Sequence, residues 1–247
     1  MTRVVSHRKG IVSYRKRVVS YKWILLAVVA ASAASSLAAQ NASSVSAQSA
    51  STADRLSLDA NWRIQSSAKL TAGGAAITRA GFSTKGWYPA TLPSTVLAAL
   101  VADHVYPDPY FGMNLRKIPG TAYPIGTIFS RQEIPANSPF AVPWWFRRTF
   151  NVPASMRGKH LVLHFNGINY RANIWLNGRR IADSTQIAGA FRRYELDVTD
   201  FVAKNAENVL AVEIFAPTPM DLAPTWLNWN PEPPDKMMGL WHRVWLS

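Results

Sequence analysis

A chain of 247 residues, 48% of them hydrophobic, can bury a full core, and by length it makes one domain or two. With no cysteine it excludes disulfides, thiolate chemistry and Cys-based zinc sites. The net charge of +13 is unevenly placed, because the first 22 residues hold seven Lys or Arg; the remainder sets 20 basic residues against 14 acidic ones, a +6 too scattered for a nucleic-acid track.

The basic start runs into an apolar stretch, Trp23 to Ala39, that ends Ser-Ser-Leu-Ala-Ala before Gln40, and the first carboxylate of the chain is Asp54. A basic n-region, an apolar h-region and small residues at Ser36 and Ala38 predict a signal peptide over 1–39 and a secreted or periplasmic product. The alternative is a retained membrane anchor, which would need about 20 strongly apolar residues. The Ala/Ser-rich second half of the run fits that poorly, so no stable membrane span is expected after cleavage. Residues 40–55 are rich in Ser, Ala, Gln and Asn and read as a linker.

The folded part is expected over 56–247. Trp62 and Ile64 anchor a first strand, and Gly73-Gly74 and Gly81 mark turns. A helix is predicted near 94–102, capped by Ser94 or Thr95, with Val96, Leu97, Leu100 and Val101 as its apolar stripe. From Tyr106 to Pro143 no period is sustained, and loops of such length are more often functional than idle.

The densest signal is 144–216. Trp144, Phe146, Phe150 and Val152 share one side of an extended strand; Leu161, Leu163 and Phe165 alternate, then Tyr170, Ala172, Ile174 and Leu176. Asn177-Gly178 follows, two residues that tolerate positive φ and predict a two-residue hairpin. Tyr194, Leu196 and Val198, then Leu210, Val212 and Ile214, complete five or six short strands without long helices between them. Such strands pair antiparallel, since parallel pairing needs crossovers of a dozen or more residues. An all-β antiparallel sandwich with one short helix is therefore predicted. The pairs Arg147-Arg148, Arg179-Arg180 and Arg192-Arg193 read as solvated strand faces. His7 lies in the leader, and the histidines at 104, 160, 164 and 242 lack ligand spacing, so neither metal nor cofactor is expected.

Taken in order, Asp108-Pro-Tyr-Phe-Gly-Met-Asn114, Trp145-Phe-Arg-Arg-Thr-Phe, Phe165-Asn-Gly-Ile-Asn-Tyr-Arg-Ala-Asn-Ile-Trp-Leu-Asn-Gly178, Tyr194-Glu-Leu-Asp-Val-Thr-Asp200 and Asn208-Val-Leu-Ala-Val-Glu213 resemble the N-terminal sugar-binding domain of glycoside hydrolase family 2. The closing Trp226-Leu-Asn-Trp-Asn-Pro-Glu-Pro-Pro-Asp-Lys-Met-Met-Gly-Leu-Trp241 resembles its exo-β-D-glucosaminidase and β-mannosidase branch. The resemblance implies a jelly roll that precedes an immunoglobulin-like domain and a catalytic barrel. It also implies a β-linked saccharide, a glucosaminide or mannoside, as partner. The sequence stops at Leu246-Ser247, in the strand that would close the jelly roll.

Retaining glycosidases need two carboxyl groups about 5–5.5 Å apart. The family's acid/base is a Glu after Asn, a dipeptide absent here, and none of Glu133, Glu195, Glu207, Glu213 and Glu232 suggests a pair. No catalytic residue is expected. The resemblance instead directs the loop before Trp241 toward the barrel, where a Trp-Asp-Trp motif places Asp against sugar hydroxyls. The matching positions here read Leu227-Asn228-Trp229. Asn228 can still donate and accept, but it lacks the charge that would attract an amino sugar. Asn228 and Trp229 are the first candidate sugar contacts, and Tyr110 and Asn114 in a second loop follow; Trp241 is expected in the core. A free-standing carbohydrate-binding module remains the alternative.

Overall fold

The structure is a computed structural model that describes residues 55–121, 133–226 and 232–247. Among them lie twelve strands, every pair antiparallel: β1 (Leu56–Ser57), β2 (Trp62–Ser66), β3 (Tyr88–Ala90), β4 (Ser94–Thr95), β5 (Trp144–Phe150), β6 (Val162–Phe165), β7 (Arg171–Leu176), β8 (Arg179–Ala182), β9 (Tyr194–Asp197), β10 (Asn208–Phe215), β11 (Gly239–Leu240) and β12 (Val244–Leu246). A six-stranded sheet runs β3-β2-β5-β10-β7-β8, a four-stranded sheet runs β1-β12-β6-β9, and β4 pairs with β11. The inner faces meet in one core, where Ile64, Phe146 and Val212 from three neighbouring strands oppose Leu163, Phe165 and Leu246 of the other sheet. The all-β sandwich follows from the alternation read in the sequence.

Local chemistry sets the turns. At the β7–β8 hairpin Asn177 has φ 51° and Gly178 φ 86°, the double positive φ of the turn that matches strand twist. Two short α-helices are described, α1 (Gly74–Ile77) and α2 (Val96–Ala102). The predicted helix is α2: Thr95 caps it by accepting from the Ala98 N–H at 3.2 Å, and Val96, Leu97, Ala99 and Leu100 are buried.

Three expectations need correction. Gly73-Gly74 is not simply a turn, because Gly74 opens α1. A Cβ there would lie 2.3 Å from the Trp175 ring, so only glycine lets the helix rest on that indole. The helix brings Ile77 onto the outer face of the six-stranded sheet, where Trp87, Trp145 and Ala211 join it in a second small cluster. Strand β5 is therefore buried on both faces, and Arg147 and Arg148 are not solvated: they are 7% and 8% exposed. On the outer face Arg147 donates to the Ile77 carbonyl at 2.9 Å. On the inner face Arg148 lies 5.9 Å from the Trp62 ring, and its Nη1 has no hydrogen-bond partner. Burial lowers the Arg148 pKa to about 10, with Asp59 acting in the opposite sense. Finally, Trp241 is half-buried rather than core; its Nε1 donates to the Ala190 carbonyl at 3.0 Å and its edge meets the exposed Phe191 ring.

Candidate functional site

Strand β5 begins and β10 ends at the same end of the sandwich, since Trp144 pairs with Ile214. Phe140 stacks on Trp144 there, and Tyr106 packs against Phe140 at 6.2 Å. This ties two connections to that end: the long one from α2 to β5, and the one leaving β10.

The first carries Tyr110 and Asn114. Asp108 organises it by accepting from the Tyr110 N–H at 2.9 Å, while Asn114 Nδ2 donates to the Asp108 carbonyl at 3.1 Å. Lys117 Nζ donates to Asn114 Oδ1 at 2.8 Å, so the Asn114 amide is engaged at both ends within its own loop. Asn114 is a loop-former here. Tyr110 is 96% exposed and available, beside Phe111 at 76% and Met113 at 63%.

The connection after β10 is clasped at its start and at its end. Asp221 takes both Nη groups of Arg171 and also accepts from the N–H and hydroxyl of Thr218. Burial works to raise its pKa, but the Arg171 and Thr218 bonds prevail and hold it below the usual value. Near the far end, Asp235 is 1% exposed and accepts from the Leu97 N–H at 2.8 Å and the Met237 N–H at 3.0 Å. Asn169 Nδ2 donates to the carbonyls of Lys236 and Met237. Glu232 and Lys236 form an ion pair at 3.6 Å. Asn228 and Trp229 lie outside the described residues; Trp226, at their border, is half-buried.

Between these connections opens a cleft of about 280 Å³, lined by Glu133, Phe140, Pro143, Phe215, Pro217 and Pro219 among others. Its lining combines aromatic and proline faces with one carboxylate, Glu133. Among the described residues no three His, Asp or Glu side chains gather as a metal site.

One constellation elsewhere looks like reaction chemistry. On the outer face of the four-stranded sheet Ser247 Oγ stands 2.7 Å from His164 Nε2, and His164 Nδ1 stands 3.4 Å from Glu195. A nucleophile needs donors for the oxyanion as well. Here the Ser247 N–H is committed to the Val162 carbonyl, and the Glu195 side chain is 71% exposed. The row lines none of the clefts described here and reads as a hydrogen-bonded sheet face stacked on Trp245.

Sequence reasoning named the loops and missed their fastenings, Asp221, Asp235 and Asn169. A signal for Asp235 was present in its setting, Pro-Pro-Asp-Lys-Met-Met, an acid between two prolines and two methionines.

Residues 62–225 match the glycosyl hydrolase 2 galactose-binding domain-like family. The chain belongs to this family. The family 2 domain is 39% identical over 180 residues to an exo-β-D-glucosaminidase of Streptomyces avermitilis, a match covering 72% of this chain and 18% of that protein. It is 33% identical over 178 residues to the exo-β-D-glucosaminidase of Amycolatopsis orientalis, covering 72% and 15%. The crystal structure of the Amycolatopsis orientalis exo-chitosanase CsxA superposes with a TM-score of 0.66 at 31% identity, over 78% of this chain and 20% of that one. The chain thus spans a fifth or less of each of these relatives. The matched part is the family 2 galactose-binding-like domain, and the activities of those relatives belong to much longer proteins.

Proposed function

We propose that this family 2 domain is the accessory, carbohydrate-contacting part of an exported β-glycosidase acting on a glucosaminide or mannoside. The observation that carries the reading is the set of exposed apolar side chains on the loops that follow α2 and β10. Tyr110, Phe111 and Met113 on one loop, and Met220 at 91% and Leu222 at 89% on the other, are far more exposed than large apolar groups on a finished surface. A catalytic barrel facing this end would cover them. The similarity to exo-β-D-glucosaminidases supports the substrate class.

Half a sugar pocket binds weakly. The purified chain is expected to take up mannose or glucosamine oligomers in the millimolar range, worth about 4 kcal/mol, with tryptophan fluorescence or NMR shifts at the 225–241 loop and weakening on Asn228→Ala. It is expected not to turn over aryl β-glycosides, because its sequence lacks the Asn-Glu dipeptide of the family's acid/base. Turnover that survives Asn228→Ala would show that a catalytic pair has been overlooked.

Export belongs to the same proposal. Mass spectrometry of the protein from its native host should find the N-terminus just after Ala38 or Ala39, in the periplasm or medium. An intact N-terminus in the cytoplasm would count against it.

A further inference from the structure

The roomiest cleft described lies at the other end of the six-stranded sheet. It measures about 480 Å³ and is bounded by the turn after α1, the tip of the β7–β8 hairpin and the loop that precedes β10. At about 3.3 Å of rise per residue, the seven steps from Asn208 to Phe215 put it roughly 23 Å from the clasped loops. Nothing in the family 2 reading uses it.

Its walls are rigid, and the rigidity comes from buried side chains. Asn208, 0% exposed, donates to the carbonyls of Ala203 and Ala206 and accepts from the Ala203 N–H at 2.7 Å. Asn177 Nδ2 bridges Asn208 Oδ1 at 2.7 Å and the Phe201 carbonyl at 2.9 Å, joining hairpin to loop. On the opposite wall the Thr78 hydroxyl accepts from the Gly178 N–H at 2.9 Å, and Arg147 holds the carbonyls of Ile77 and Arg79 from below. A pre-formed concavity of this kind loses little entropy when it is filled.

The lining side chains left outside this hydrogen-bonded scaffold are Arg79 and Glu207, both exposed and neither in an ion pair among the described residues, though the Glu207 charge also acts on the buried Arg147. Phe201 adds a half-buried ring, with the Arg179 guanidinium 4.3 Å from its centre. A carboxylate that accepts from paired hydroxyls, a guanidinium fork that donates, and an aromatic edge make up the recognition chemistry of a pyranose. Glu207 disfavours phosphate, and the second guanidinium disfavours a cationic amino sugar. We propose that this cleft binds a neutral pyranose unit of a glycan, separately from the loops at the far end; the choice of a sugar among polyols rests on the family 2 reading.

The test is titration of the full chain with tri-N-acetylchitotriose and with mannotriose, followed by backbone amide NMR, on the parent and on Arg79→Ala and Glu207→Gln. The expected result is saturable shifts at 177–178 and 201–207, with affinity falling about tenfold in each variant and thermal unfolding unchanged. Shifts confined to 133–143 and 215–226 would overturn this site while leaving the proposed function standing. Shifts at 177–178 and 201–207 alone would uphold this site and count against the loops. No shifts, or full affinity in both variants, would overturn it.

Discussion

Asp235→Ala is expected to lower the folding free energy by about 3–5 kcal/mol. The carboxylate collects the Leu97 and Met237 N–H groups and the Thr95 hydroxyl in a site closed to water. Alanine would leave those donors buried without partners, each costing about 1–3 kcal/mol. At about 2–4 °C per kcal/mol for a domain of this size, calorimetry should show Tm falling by roughly 10 °C; a drop under about 3 °C would refute the assignment. A pH dependence follows as well. Burial raises the Asp235 pKa against the opposing pull of its hydrogen bonds, led by the Leu97 N–H. The folded protein therefore keeps this proton to higher pH than the unfolded chain does. The group's contribution is fully present below the unfolded pKa of about 3.9 and is lost as pH rises through the folded value. Asp235→Asn, whose Nδ2 would face one of the N–H groups that Asp235 now accepts from, should start below the parent, and the gap should narrow as pH rises above about 4, as read from denaturant midpoints.

Phe146→Ala should be of similar size, for a different reason. Phe146 is fully buried between Ile64 and Val212, and it meets the Trp62 ring edge-on at 6.4 Å. Truncation removes the apolar transfer energy and leaves a cavity that central strands cannot close. The cost for such a Phe is about 3–5 kcal/mol. Urea unfolding should shift to a lower midpoint with an unchanged slope, and Phe146→Leu should lose under about 1.5 kcal/mol. An alanine variant as stable as the leucine variant would mean that the core collapses around the gap.

The sandwich was legible because its inner face obeys a strict period of two, and the hairpin because Asn177-Gly178 suits few other conformations. The double burial of β5 was not legible. Its outer cover is a four-residue helix, too short to leave a period, and it depends on the missing Cβ of Gly74. For the same reason Arg147 looked like a surface residue: a charge in a strand says nothing about what a distant segment lays over it. Arg148 instead points into the sandwich against Trp62, where the alternation alone would have set an apolar residue. At the candidate site the residue types were visible and their engagement was not. Asn114 has the chemistry of a sugar contact, but Asp108 and Lys117, six and three positions away, consume it. Asp235 shows the converse, since its partner Leu97 lies 138 residues earlier in the chain.

The pairing of β1 with β12 carries a mechanical consequence. Leu56 faces Leu246 and Ser57 faces Trp245, so both ends of the described domain leave from the same rung at the margin of the four-stranded sheet. Tension applied between them acts along the hydrogen bonds of that rung, because antiparallel bonds lie across the strands. The rungs then open in succession, as in a zipper, rather than sharing the load. Under traction β1 peels first, at low force, while the pairing of β5 with β10 at the centre of the other sheet stays outside the line of pull.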